Sequence, residues 1–463
     1  MAAALVGLPL NLVAVEGDSA TATATVADST AAEELESTLA QWRDTLRFGI
    51  DSEILELVGQ LGVNGETSLN DELVELAGVS LNPEVIDAVV RMYRALEDPG
   101  VVEIGLRVVK QAVADIAAGA ASANAREHAL LTSSIYYLGE VGGAEVADAL
   151  EPLIDHEDTL VATAAIAAVG ASGDESFALA LIERLDDLQF AADLKPQLLL
   201  ALGALHATSA VERLESVVAD NAKPRVWRMY ASDALGKIGA GSSVDVLRAV
   251  LSEDDPLVKS YAAAALGGYE LDTAKEALVA GLRDSHWSVR VAAAAGLGRE
   301  SASSAIAILS YKADRDPSPK VRFVAIEALA QIHHPQARKF VMERVQDTDH
   351  ALAIREGALR SLIKYDLAAS TDFIKQIMDA EWSSSPPTLL LAAAQELSGI
   401  EQPRLKPFYE LFLGSPHPAV RVYGLRGVVS SGLRGMRPTI EQLKTDDTVA
   451  AVRLEAELAL EKL

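Results

Sequence analysis

VKSYAAAALGG from Val258, VRVAAAAGLGR from Val289, VRFVAIEALAQ from Val321 and VRVYGLRGVVS from Val420 are versions of one phrase. Its second position is basic at Lys195, Arg228, Lys259, Arg290, Arg322 and Arg355, in steps of 33, 31, 31, 32 and 33 residues, and basic again at Arg421 and Arg453. In the one skipped unit the slot holds Leu390, and the step stretches to 35. A second marker, eight residues on, keeps the same period through Gly139, Gly170, Gly203, Gly236, Gly267 and Gly298. Self-similarity at this spacing marks an array of supersecondary units, each too small to bury its apolar face without neighbours. Glycine at that spot belongs near a helix end, where a left-handed or tightly packed residue is needed.

Each unit holds a second helix with apolar residues four apart, as in Val146, Leu150 and Ile154, or Ala274, Leu278 and Leu282. That is helical periodicity, not strand alternation. A turn such as RDSHWS, DRDPSP or TDDTVA precedes the phrase, with an aspartate six residues before the basic residue. The pairs are Asp284 with Arg290, Asp316 with Arg322, Asp349 with Arg355, and Asp447 with Arg453. Aspartate there accepts backbone N–H groups at the start of the next helix. The arginine is placed to donate to the turn aspartate of its own or the neighbouring unit, a ladder along the stack. A residue that recurs in every unit serves stacking; a catalytic residue need occur only once.

The order of helix, aspartate turn and V-R-x-x-A-x-x-A-L-G resembles the HEAT repeat, in particular the short bacterial form called PBS-lyase HEAT-like, over roughly residues 121–463. The resemblance implies an all-α, right-handed α-solenoid, a superhelix of about 11 helical-hairpin repeats. Units of 31–35 residues are shorter than the eukaryotic form and lack its proline in most copies.

Residues 1–36 read as a leader: an apolar run resembling a secretory signal without a basic start, then the small-residue stretch TATATVADSTAAEE. Residues 37–120 read as divergent helical repeats and a cap, with Asn82 before Pro83 and Asp98 before Pro99 as helix-start signals. One of their segments, TLRFGIDSEILELVGQLG, shows amphipathic spacing. Residues 121–448 are the regular array. Residues 449–463 are the C-terminal capping helix, expected to turn a polar face outward. Export to the periplasm is the expected location, with a cytoplasmic one as the alternative.

Half of the 463 residues are apolar but only 5% aromatic, a balance suited to close-packed helices. The absence of cysteine removes disulfides, thiolate metal sites and thiol nucleophiles. No apolar run after residue 15 reaches the roughly 18–20 residues of a membrane span. The net charge of −27 opposes a phosphate backbone, so nucleic acid is not an expected partner. Residues 1–220 carry 37 acidic and 10 basic residues, residues 221–463 carry 30 of each. The acidic excess keeps the molecule soluble or forms a landing surface for a basic partner.

No catalytic or cofactor constellation emerges. The resemblance extends to enzymes, including lyase-type accessory subunits and hydroxylases that build a di-iron site from repeated His-Glu pairs, but only His156-Glu157 occurs here. Two ligands do not hold a metal that needs three or more. Most other histidines, His333-His334 among them, fall in or beside inter-helix turns. The leading expectation is a monomeric, non-enzymatic scaffold holding a protein partner along the concave face; an enzyme and a mechanical spacer are the alternatives. Counting from the phrase valine, the core takes that residue and those three, four and eight later, while those two and six later face outward. The outward set is Met229, Asp233, Val291, Phe323, Glu327, Glu356, Arg360, Val422 and Arg426, with Ala295 beside them. Trp227 fills a valine slot and is assigned to the core. Trp382, in the irregular stretch DAEWSSSPPT, is either a plug or a partner anchor.

Overall fold

The computed structural model describes residues 36–119, 124–141, 143–299 and 302–463, so residues 1–35 of the leader lie outside the described residues. Among them every regular element is helical. They form two compact units, one ending at Val246 and the other comprising Leu247–Leu463.

In the first unit the phrase helices are Thr159–Ala171, Lys195–Ala204 and Arg225–Ile238. Ala125–Val141, Pro83–Ala95 and Asp51–Asn64 continue the row toward the N-terminus. Each packs against the next along the row, while the alternate helices mainly cover their own phrase helix. The spacing of small residues explains that close approach. A Cβ on Gly139, Gly170 or Gly203 would stand 2.7 Å from an atom of Ala168, Ala201 or Ala234, six residues after the basic slot of the next unit. None of these glycines has a positive φ. Of the two roles open to the recurring glycine, it plays tight packing; left-handed caps fall to Gly65 and Gly239.

The amphipathic segment 45–62 is not one helix. A helix over residues 36–48 ends before Ile50, and a new one, Asp51–Asn64, begins. Asn82 accepts from the Glu84 amide at 3.0 Å and Asp98 from the Gly100 amide at 2.8 Å, at the two expected helix starts.

The Leu247–Leu463 unit repeats the scheme with phrase helices Pro256–Leu266, Trp287–Gly296, Pro319–Gln331, Thr388–Ser398, Pro418–Ser430 and Ala450–Lys462. Between them, Leu352–Glu381 runs through two helix positions with a kink at Asp366, where φ is −135° and ψ 33°. Asp366 is buried and bonded by Arg338 at 2.5 and 3.1 Å, and His333 Nε2 lies 2.6 Å from the Tyr365 carbonyl oxygen. The preceding hairpin therefore holds the bend.

The buried arc is wider than the valine-based pattern predicts. In Pro256–Leu266, Val258, Lys259, Ala262, Ala263 and Leu266 are buried, whereas Tyr261, three after the valine, is half-buried. A phrase helix meets its own partner helix and phrase helices along the row, so more than one face is covered. Trp227 is a correction: it is half-buried at the start of its helix, with Lys195 Nζ 5.7 Å and Lys223 Nζ 5.8 Å from its ring centroid. The capping helix also differs from expectation, since Leu454 and Leu458 are exposed on it beside its glutamates.

Candidate partner-binding face

The phrase helix is fixed at its start before it can present a face. Lys195 donates to the carbonyls of Leu185 and Asp187, Arg228 to Val218, Arg322 to Ala313 and Arg355 to Val345. Each cation sits where the preceding helix ends and its carbonyls point outward, so it satisfies acceptors and meets the negative end of the helix dipole. Lys195, Arg228, Lys259 and Arg290 are buried at these helix starts.

Lys259, Arg290 and Arg421 cross to the next turn. Lys259 Nζ lies 2.6 Å from Asp284, Arg290 makes two 2.8 Å bonds to Asp316, and Arg421 makes bonds of 2.7 and 2.8 Å to Asp447. The same aspartates accept the amides of His286, Ser318 and Val449. Burial works to raise the Asp316 carboxyl, but bonds from Arg290, the Ser318 amide and Lys312 outweigh it and hold the group below the usual carboxylate range. Asp447 is lowered in the same way, with Arg421 as the main opposing partner.

The aspartate–arginine ladder is a correction at two of its arginines: Arg322 donates to the Ala313 carbonyl and to neither Asp316 nor Asp349. Asp349 is exposed and Arg355 turns to Val345 instead; Asp347 closes that turn by accepting the Asp349 amide at 3.0 Å. Within a unit, Arg453 reaches the Asp447 carbonyl, not its carboxylate, at 2.6 Å. Where the basic slot is lost at Leu390, Glu381 accepts the Leu389 and Leu390 amides at 2.6 and 3.2 Å and starts the helix.

The outward set lies along the phrase helices. Met229, Val291, Phe323, Glu356 and Val422 are half-buried, and Arg426 is exposed. Phe323 packs over the next phrase helix, where a Cβ on Gly357 would stand 2.7 Å from its ring. The charged members bond sideways. Arg360 donates to Gln395 at 3.0 Å and lies 3.5 Å from Glu396, and Arg426 meets Glu455 at 3.0 and 3.1 Å. The Tyr365 hydroxyl donates to Glu327, while Asp233 pairs with Lys237 of its own helix at 2.9 Å. The bond from Glu455 raises the Arg426 guanidinium further into its charged range.

These lateral partners, Tyr365, Gln395, Glu396 and Glu455, were not among the residues the sequence singled out. Their signal is a separation of about one repeat, from 29 residues for Arg426–Glu455 to 38 for Glu327–Tyr365. Trp382 is half-buried, and its carbonyl accepts from His417 Nε2 at 3.0 Å. His156 Nδ1 accepts the Asp158 amide at 2.9 Å, so this histidine serves a helix start. Chemically the face offers half-buried apolar side chains between charges already held in place, a surface that loses little side-chain entropy on binding.

A sequence profile described as Spirochaete HEAT repeat protein matches residues 46–458. The chain belongs to this HEAT repeat family. The HEAT repeat chain matches no curated protein sequence at a significant level. Among solved structures it is similar to the karyopherin Kap121p bound to the extreme C-terminus of the protein phosphatase Cdc14p, with 13% identity and a TM-score of 0.38, over 94% of this chain and 55% of that one. It is also similar to importin beta in an ammonium sulfate condition, with 12% identity and a TM-score of 0.45, over 90% of this chain and 66% of that one. The HEAT repeat chain thus spans little more than half the length of Kap121p. No helix among the described residues is long and apolar enough to cross a membrane.

Proposed function

We propose that the chain is a non-enzymatic scaffold that holds a protein partner against its row of phrase helices, with units of the PBS-lyase HEAT-like type. The observation that carries this reading is the sideways tethering of the face within the Leu247–Leu463 unit: Phe323, Arg360 and Arg426 are each held by the next phrase helix. A polypeptide lying across several units meets a fixed surface of apolar patches and tethered charges. The recurring charges fit stacking better than chemistry, since each is spent on helix ends and neighbouring turns. We place the protein outside the cytoplasm, in keeping with its cysteine-free sequence.

A photo-crosslinker at position 323 in the native cell tests the reading. A discrete cross-linked protein, lost when Arg360→Glu is added, is the expected result. Absence of any cross-linked protein from both position 323 and position 422 overturns it in favour of a spacer.

A further inference from the structure

Within the unit ending at Val246, exposed large aliphatic side chains gather along the edge where the phrase helices begin. Ile50 and Leu81 stand just before two of these helices, Leu188 lies in the turn before a third, and Leu160 and Val226 are the second residues of two more. Leu160 is 61% exposed, Leu188 91% and Leu81 97%, although core positions lie one to four residues away. Single exposed leucines are ordinary; several aligned on one edge mark an interaction surface.

Hydrogen bonds place these turns side by side. Asn82 donates to Asp51 at 2.7 Å, joining the first two turns. Arg184, at the end of the helix leading into the Leu188 turn, bonds Asp155 at 2.8–3.1 Å, so the turns 155–160 and 186–194 are neighbours. Arg213 continues the sequence by bonding Asp186.

The charge beside Leu160 and Leu188 is of one sign. Glu157, Asp187 and Asp193 are exposed, and none of their carboxylates is in an ion pair among the described residues. Arg184 is spent on Asp155 and Glu151, Arg213 on Asp186, and the buried Lys195 on main-chain carbonyls. Aliphatic side chains framed by unneutralised carboxylates match an apolar ligand that brings positive charge, and they oppose an anionic lipid surface.

We propose that the edge formed by turns 155–160 and 186–194 receives a basic amphipathic segment of a protein partner. Its apolar side chains cover Leu160 and Leu188, and its lysines or arginines meet Glu157, Asp187 and Asp193. This rests on the scaffold reading and adds to it a second contact surface, apart from the phrase-helix face.

The test uses the full chain and a dye-labelled synthetic helix of leucine and lysine, read by fluorescence anisotropy, with a leucine–glutamate helix as comparison. The lysine peptide should bind and the glutamate peptide should not. Leu160→Ser with Leu188→Ser should weaken binding about ten-fold, and so should Glu157→Gln with Asp187→Asn and Asp193→Asn. Leu179→Ser, also exposed but on an alternate helix, should change nothing. All substituted side chains are exposed, so the helical signal should stay intact in every variant. Equal affinity for wild type and both edge variants overturns the proposal, as does no binding at all. Tighter association with phosphatidylserine vesicles than with the peptide overturns it in favour of a lipid surface. A cross-linked partner at position 323 beside unaffected edge variants would remove this edge alone and leave the scaffold reading standing.

Discussion

Asp316 shows how one residue ties three things together. Its side chain is fully covered and binds Arg290, Lys312 and the Ser318 amide, so it joins two repeats and starts a helix. Asp316→Ala leaves a buried guanidinium short of its partner, at a cost of about 3–5 kcal/mol. The pH dependence follows from the lowered carboxyl. The folded value lies below the unfolded 3.8, so the stabilisation is complete above about pH 4 and is lost as pH falls through the folded value. Amide exchange across 306–331 should therefore be faster in Asp316→Ala than in wild type at neutral pH, and the gap should narrow in strong acid. A gap that widened there would reverse the sign and refute the assignment.

At the scale of the element, the glycine that recurs near the end of each phrase helix distinguishes packing from propensity. At Gly203 a Cβ would lie 2.7 Å from the Ala234 Cα, so Gly203→Ala forces two helices apart and should destabilise by about 1–3 kcal/mol despite alanine's better helix propensity. At Gly59, in the middle of Asp51–Asn64, nothing lies within 4 Å of the added methyl, and Gly59→Ala should stabilise by roughly 0.4–1 kcal/mol. Thermal unfolding that moved both variants in the same direction would contradict this account. The opposition also explains what could be read from sequence. Small residues at the helix contacts and a cation at most phrase-helix starts recur at the repeat period, so the helical-repeat fold was legible. The caps at Asn82 and Asp98 were legible because they act on amides two residues away. The kink at Asp366 was not, because Arg338, 28 residues earlier, holds it. Nor were the sideways bonds of Arg360 and Arg426, which depend on the register between helices. The exposed edge was hidden for a different reason, since Leu160 and Leu188 carry the same letter as core leucines such as Leu153 and Leu185.

Over the whole molecule, charge is the property that no single repeat explains. The excess of acid over base in residues 1–220 accounts for the entire net charge of −27. Arg43, Arg91, Arg94, Arg126, Arg184 and Arg213, six of the ten basic residues there, already sit in ion pairs. The remaining carboxylates repel one another across a surface that folding brings together. Such repulsion is screened when the Debye length shrinks from roughly 30 Å at 0.01 M salt to 10 Å at 0.1 M. Residues 221–463, with 30 charges of each sign, have no comparable excess to relieve, and salt weakens their exposed pairs only slightly. Raising sodium chloride over that range should therefore increase amide protection across residues 36–220 and leave the balanced half nearly flat. Glu145→Gln with Asp148→Asn, at exposed positions outside any ion pair among the described residues, should reproduce part of the gain at low salt. Glu140→Gln should not, because it also leaves Arg94 without its partner. Equal responses in both halves, or a loss of protection in the acidic one, would mean that its carboxylates are neutralised locally and that the acidic excess exerts no long-range strain on the fold.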